Sequence, residues 1–295
     1  MVGHAPEELL TVVPEELLTV AAALLLPGQD LTGATLAGGG SHHVVLLPGA
    51  AVVRVARKPT AVAALPRNVE LPRRLGALDL PFAVPRPLSG VVRVAGHTAV
   101  ALSWLEGAPA PRSGGGEPEE LARLLRALRE VDCGDLRSLL GAAHEYAGGD
   151  RWAEMMERDV VPRLPRTWRS EALRRVGAAV DLPVVEPSLV HGDLAGDNLH
   201  WSGDGRVLGV LDWDLAQPFD PAVDAACLAW HGWDKVAAAV DRAALHRAWT
   251  WYLTFGLEQV SFALLNGEPE EVVARRCTVA ISWLERTARM TRPLG

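Results

Sequence analysis

The spacing of apolar and polar positions changes character along the chain. Two short apolar runs, Val44 to Leu47 and Ala51 to Ala56, flank Pro48-Gly49, which predicts a strand, a tight turn and a returning strand. Leu88 to Val94 and Thr98 to Trp104 repeat that pattern around Ala95-Gly96-His97. Between the hairpins Arg67 to Leu78 reads as a helix, with Pro72 either kinking it or lying near its start. From Glu119 the period becomes helical, with Leu121, Leu124, Leu125 and Leu128 on one face up to Val131. Ala248 to Asn266 and Pro269 to Arg289 are predicted helices rich in Trp, Phe and Leu, and short strands are expected at Leu189-Val190 and Val207 to Leu211. The pattern predicts an α+β chain: a small β-rich N-terminal lobe over 1–105, a linker dense in Gly, Pro and Ala over 106–118, and a larger, mainly helical lobe over 119–295.

Composition narrows the class. Of 295 residues, 49% are apolar and 22% charged, which excludes a disordered chain, a collagen-like repeat and a disulfide scaffold. A formal net charge of −7 argues against nucleic acid as a partner and suits a cationic small molecule. Cys133, Cys227 and Cys277 are scattered without metal-ligand spacing and read as reduced thiols. The longest apolar run, Leu17 to Leu26, is too short to span a bilayer, so no membrane association is expected. Its upstream flank carries Glu7, Glu8, Glu15 and Glu16 where a signal peptide needs basic residues, which favours the cytoplasm. PEELLTV occurs twice, at Pro6 to Val12 and Pro14 to Val20, which reads as a recent duplication or a mis-set start. The only lysines are Lys58 and Lys235.

The chemistry concentrates in His191-Gly192-Asp193-Leu194-Ala195-Gly196-Asp197-Asn198 and in Leu211-Asp212-Trp213-Asp214. Apolar residues lead into each acidic cluster, which places both at the mouths of short buried strands. Phosphoryl transfer needs a carboxylate to orient an attacking hydroxyl and accept its proton, together with hard oxygen ligands for magnesium. An Asp, an Asn five residues later and a second Asp at a strand end supply those parts.

H-G-D-L-x-x-x-N, then V-L-D-W-D, then D-P-A-V-D from Asp220 to Asp224 resembles the aminoglycoside phosphotransferase and choline kinase-like family in order and spacing, from about Gly38 onward. The resemblance implies a bilobal protein-kinase-like fold, ATP or GTP as phosphoryl donor, magnesium, and a small-molecule hydroxyl as acceptor. It implies Asp193 as catalytic base, Asn198 and Asp212 as magnesium ligands, His191 as a brace of the loop, and Asp224 as the tie between that loop and a following helix. Asp197 and Asp214 occupy variable positions and face either substrate or solvent.

The N-terminal lobe departs from the family pattern. The family's basic residue for the α- and β-phosphates falls to Arg54 or Lys58; Pro59 puts Lys58 at a strand end, which favours Arg54, a legitimate phosphate ligand through its planar fork. Its acidic partner on the helix is expected to be Glu70. Gly38 to Ser41 is read as a glycine run beside the phosphates, or simply a turn. Ser103, Trp104 and Leu105 fall where the family's hinge offers backbone groups to adenine, so Ser103 and Leu105 are assigned there.

The acceptor lining is drawn from Trp230, His231, Trp233, Asp234, Trp249, Trp251 and Glu258. Seven of the ten tryptophans follow residue 200, and tryptophan stripes at helical spacing are usually core. Asp234 and Glu258 hold a cationic antibiotic or belong to a solvated face. Stretches of the N-lobe, Ser41 to Val45 and Leu65 through Phe82, are similar to antibiotic phosphotransferases of the viomycin and capreomycin type. The expected activity is therefore phosphorylation of an antibiotic hydroxyl by a monomer or weak dimer. A metabolic kinase for an amino alcohol or sugar, and a nucleotide-binding regulator without transfer activity, are the alternatives.

Overall fold

The computed structural model describes residues 15–38, 41–94 and 96–293; the first PEELLTV copy and Gly39-Gly40 of the glycine run lie outside them. The chain divides into two compact units, Met1–Glu106 and Gly107–Gly295. No helix among the described residues is long and apolar enough to cross a membrane.

In the first unit α1 (Glu15–Leu25) buries Leu18, Ala22 and Leu25, one stripe at i, i+4 and i+7. That stripe packs on Val45, Leu47, Val53, Val55, Val94, Ala99 and Ala101 of one sheet face. The sheet contains β1 (Thr35–Gly38), β2 (His42–Leu47), β3 (Ala51–Ala56), β4 (Val92–Val94) and β5 (His97–Ser103), ordered β1-β2-β3-β5-β4 with antiparallel pairings. α2 (Pro59–Leu75) precedes β4 in the chain and begins eight residues before the predicted helix start. Pro59 occupies its first turn, where a missing N–H costs nothing, and Lys58 is the extended N-cap residue. Pro66 and Pro72 both lie inside the helix, whose Leu65 packs on Val100 and Leu102 of the other sheet face. The alternation of β3 therefore sends Val53 and Val55 toward α1 and Arg54 toward the α2 face.

The second unit opens with β6 (Ala108–Pro109) and α3 (Pro118–Glu130), whose four predicted leucines are all buried. α4 (Trp152–Met155) runs into a π turn, Met156–Val160, and α5 (Arg166–Val180) follows. Two small antiparallel sheets come next. One pairs β7 (Ser188–Val190) with a later strand; the other joins β6 to β8 (Leu199–Trp201) and β9 (Val207–Val210). β10 (Gln217–Phe219) is the partner of β7.

The helices that complete the unit are α6 (Ala222–Cys227), α7 (Trp233–Ala239), α8 (Arg242–Tyr252), α9 (Phe255–Leu265) and α10 (Glu270–Ala288). The single helix predicted over 248–266 is two, α8 and α9, broken at Leu253-Thr254. The Thr254 hydroxyl donates back to the Trp251 carbonyl at 2.8 Å, competing with helix continuation. Arg175 of α5, 2% exposed, knots the helices together through Glu171 at 2.7 Å, Thr287 Oγ1 at 2.7 Å and the carbonyls of Leu253 and Leu284.

Candidate active site

The antiparallel pair β7–β10 delivers His191 and Gly192 into the interior, because Val190 lies opposite Gln217 at the strand end. Gly192 has φ +86°, and a Cβ there would approach the Leu215 carbonyl oxygen to 2.8 Å. Only glycine fits that turn and that approach. His191 is fully buried: its Nε2–H donates to the Leu211 carbonyl at 2.7 Å, and its Nδ1 accepts the Asp193 N–H at 3.2 Å. The two bonds fix the neutral tautomer, and burial holds the ring at a pKa of about 4. His191 is thus a brace and not a proton carrier at neutral pH.

Asp224 accepts the His191 N–H at 2.8 Å on one oxygen and the Gly192 N–H at 2.9 Å on the other. Burial, only partly opposed by those two donors, pushes its carboxyl up to about 7. The neighbouring Asp220, 5% exposed, accepts from Arg247 at 2.6 Å and Trp251 Nε1 at 2.6 Å, so both acids of D-P-A-V-D are anchors.

The loop then closes on itself. Asn198 Nδ2 donates to the Asp193 carbonyl at 2.8 Å and to Asp193 Oδ2 at 2.9 Å, leaving the amide oxygen as an unused hard donor. The loop's Leu194 is a fully buried plug. The β8–β9 hairpin, with Leu199 opposite Val210, brings the two ends of the acidic pattern together. Leu211 N–H donates to the Asn198 carbonyl at 2.9 Å, so Asn198 and Asp212 flank one corner. Asp212 has φ +56° and ψ +70°, a left-handed conformation that aspartate tolerates but that marks the position as special. Asp193 keeps solvent-accessible surface yet is crowded by protein atoms. That loss of hydration, followed by the charge of Asp212, raises its carboxyl to about 6, with the Asn198 bond opposing.

Asp197 is exposed on the same loop, and Asp214 is half-buried in the turn after Asp212. Trp230 is half-buried; its ring carbons lie 3.7–3.9 Å from where a Cβ at Gly196 would be. Asp234 is exposed in the first turn of α7.

Several expected members lie elsewhere. Glu258 is only 3% exposed and fully engaged: Tyr146 donates at 2.7 Å and Trp152 Nε1 at 3.3 Å, and Thr254 Oγ1 lies 2.9 Å away. It is a buried structural acid and not a solvent-facing one, because α9 turns it inward. Trp249 and Trp251 are buried too, and Trp233 and Trp249 pack with Tyr252 in one aromatic cluster. An Arg54–Glu70 pair is not formed. Arg54 contacts His42 Nδ1 at 2.9 Å, whereas Glu70 is claimed by Arg73 at 2.6 Å and Arg74 at 2.9 Å, which hold its carboxyl at about 2. Those arginines lie at i+3 and i+4 on α2, the natural helical partners. Ser103 exchanges two bonds with Arg86, its N–H donating to the Arg86 carbonyl at 2.7 Å and its Oγ accepting the Arg86 N–H at 2.9 Å; Leu105 is buried.

A cavity of about 690 Å³ lies on the α3, α6 and α8 side of this unit and includes none of the residues from His191 to Asp214.

An α+β chain with a small antiparallel sheet, a mainly helical second part and this acidic corner has the protein-kinase-like fold and the chemistry of a phosphotransferase. The comparisons agree. Residues 32–262 match the phosphotransferase enzyme family, and the chain belongs to it. It is 30% identical over 270 residues to viomycin phosphotransferase of Streptomyces vinaceus, covering 84% of this chain and 93% of that protein. Among solved structures it is similar to the GDP and kanamycin complex of APH(2")-IIia, with TM-score 0.75, 17% identity and coverage of 92% and 97% of the two chains. It is also similar to a type I macrolide 2'-phosphotransferase, with TM-score 0.64, 22% identity and coverage of 89% and 95%.

Proposed function

We propose that the protein transfers the γ-phosphoryl group of ATP or GTP to a hydroxyl of a small-molecule antibiotic, most readily a cationic one. The observation that carries this reading is the corner at which Asp193, Asn198 and Asp212 converge, with Asp193 held by Asn198 and raised toward neutrality by burial and Asp212. The similarity to viomycin phosphotransferase supports an antibiotic acceptor, and the net charge of −7 supports a cationic one.

Asp193 orients the acceptor hydroxyl for in-line attack and takes its proton. A base with a pKa near 6 is mostly ionised at neutral pH yet basic enough to share that proton in the transition state. The free Asn198 amide oxygen and the exposed Asp212 carboxylate fit a magnesium ion, which when bound neutralises charge on the phosphate oxygens. Arg54 contacts the phosphates, and the backbone around Ser103 and Leu105 receives the base. His191, Asp224 and Gly192 position the loop, so most of the acceleration comes from orientation and charge placement. Asp197, Asp214 and Asp234 are the acceptor-facing residues, whereas the indole of Trp230 is covered by Arg112.

The test is product analysis. The protein with magnesium and ATP or GTP is incubated separately with viomycin, kanamycin, a macrolide, choline and homoserine, and the acceptors are examined by mass spectrometry. A phosphorylated antibiotic supports the reading; phosphorylation of choline or homoserine alone replaces it with a metabolic kinase. Nucleotide binding without any phosphorylated acceptor replaces it with a regulator.

A further inference from the structure

The glycine-rich segment after residue 106 is not a loose linker. Ala108 and Pro109 pair as β6 with Trp201 and His200 of β8, the strand that begins directly after Asn198. Gly107 has φ +91°, and a Cβ there would meet the Trp201 carbonyl oxygen at 2.7 Å. The next residues lie along 230–235. Ser113 N–H donates to the Trp230 carbonyl at 2.9 Å, and Trp230 Nε1–H to the Ala110 carbonyl at 3.4 Å. His231 Nδ1–H donates to the Gly114 carbonyl at 2.8 Å, and Lys235 Nζ donates to the Gly115 carbonyl. Gly116, at φ +70°, lies so close that a Cβ would meet the His231 ring at 2.7 Å. Arg112 lays its guanidinium over the Trp230 ring, 4.1 Å from the centroid.

Two of these contacts act on one side chain. The indole of Trp230, covered by Arg112 and tied to Ala110, supplies all three atoms nearest a Cβ placed at Gly196. Gly196, at φ +56°, lies between Asp193 and Asn198 in the loop. The same loop is also held by Asn198, His191 and Asp224.

We propose that Trp230 is a positioning residue for the catalytic loop and that residues 107–116 form a strap holding it in place. The strap reaches the loop at two points, through β8 just after Asn198 and through Trp230 beside Gly196. The proposal rests on the reading of 193–198 as the phosphotransfer loop, but it is tested with a readout that needs no acceptor.

The experiment compares full-length wild type with Trp230→Leu and Trp230→Phe. Hydrogen exchange is followed at the Ala195 and Asn198 amides, which bond within the loop to the Asp193 and Ala195 carbonyls. kcat and nucleotide KM are measured in parallel. Trp230→Leu should speed exchange at both amides and lower kcat by about tenfold or more, with nucleotide KM within about twofold, since small misplacements of a catalytic group cost that much. Trp230→Phe keeps an aromatic face under Arg112 and should restore part of kcat. If Trp230→Leu does not fold, Arg112→Ala combined with Lys235→Met releases the strap from its surface ties and should move both readouts in the same direction. Unchanged exchange and kcat in Trp230→Leu, or in that double variant, would overturn the proposal, as would a Phe variant as impaired as Leu. A wild type without turnover on any acceptor removes the phosphotransfer reading, while the exchange data still decide whether Trp230 holds the loop.

Discussion

Replacing Asp224 by alanine tests how the catalytic loop is anchored. The substitution orphans two loop N–H groups, those of His191 and Gly192, now 2.8 and 2.9 Å from the carboxylate. An unsatisfied buried N–H costs about 1–3 kcal/mol, so the loss is roughly 2–6 kcal/mol. Against it stands the cost of keeping Asp224 ionised in the interior, which shows as a carboxyl raised from 3.8 to about 7. A raised folded-state pKa means that the native state binds the proton more tightly than the unfolded chain. The stability that protonation confers is therefore fully present below about pH 3.8 and is lost as pH rises through about 7. Between pH 8 and pH 5.5 that linkage amounts to about 2 kcal/mol for wild type and is absent from the alanine variant. Asp224→Ala should therefore be more damaging at pH 5.5 than at pH 8 by about that amount, because the difference between the two proteins cancels other titrations. Urea unfolding followed by tryptophan fluorescence at the two pH values measures it. A penalty equal at both, or larger at pH 8, would refute the reasoning.

The other predictions concern charge. Arg54→Ala should raise nucleotide KM about tenfold, the loss of one charge-assisted phosphate contact, with acceptor KM unchanged; an unaltered nucleotide KM in initial-rate kinetics removes Arg54 from the site. Asp212→Ala should shift the magnesium dependence of nucleotide binding to about tenfold higher concentration or more in a calorimetric titration, the expected cost of one lost metal ligand, and an unshifted curve counts against its role. Arg175→Met leaves the Glu171 carboxylate to Arg174 alone and removes the arginine donor from the Thr287 hydroxyl and two carbonyls, so stability should fall by about 2–3 kcal/mol. Unfolding within about 1 kcal/mol of wild type would show that this knot is dispensable.

The loop chemistry was legible because it is local. Asp193 and Asn198 are five residues apart, and the apolar lead-ins at Leu189-Val190 and Val207 to Leu211 coincide with β7, which leads to Asp193, and with β9 (Val207–Val210), which leads to Asp212. What the sequence does not show is competition between partners. Glu70 was expected opposite Arg54, but Arg73 and Arg74, at i+3 and i+4 on the same helix, take its carboxylate. Glu258 looked like a free acid on a tryptophan-rich face until the break at Thr254 turned it toward Tyr146 and Trp152. The Gly, Pro and Ala density of 106–118 reads as a linker; in the structure several of its glycines are required by positive φ and by the closeness of Trp201 and His231.

The central claim is that Asp193 is the base of a phosphotransferase. The most direct measurement is release of nucleoside diphosphate from ATP or GTP with magnesium, across a panel of aminoglycosides, macrolides, viomycin-type peptides, choline and homoserine, for wild type and Asp193→Asn. The account predicts release stimulated by an antibiotic in wild type and a kcat lower by roughly 10²–10⁴-fold in the variant, with nucleotide affinity preserved. Near-normal stimulated release by Asp193→Asn would contradict it.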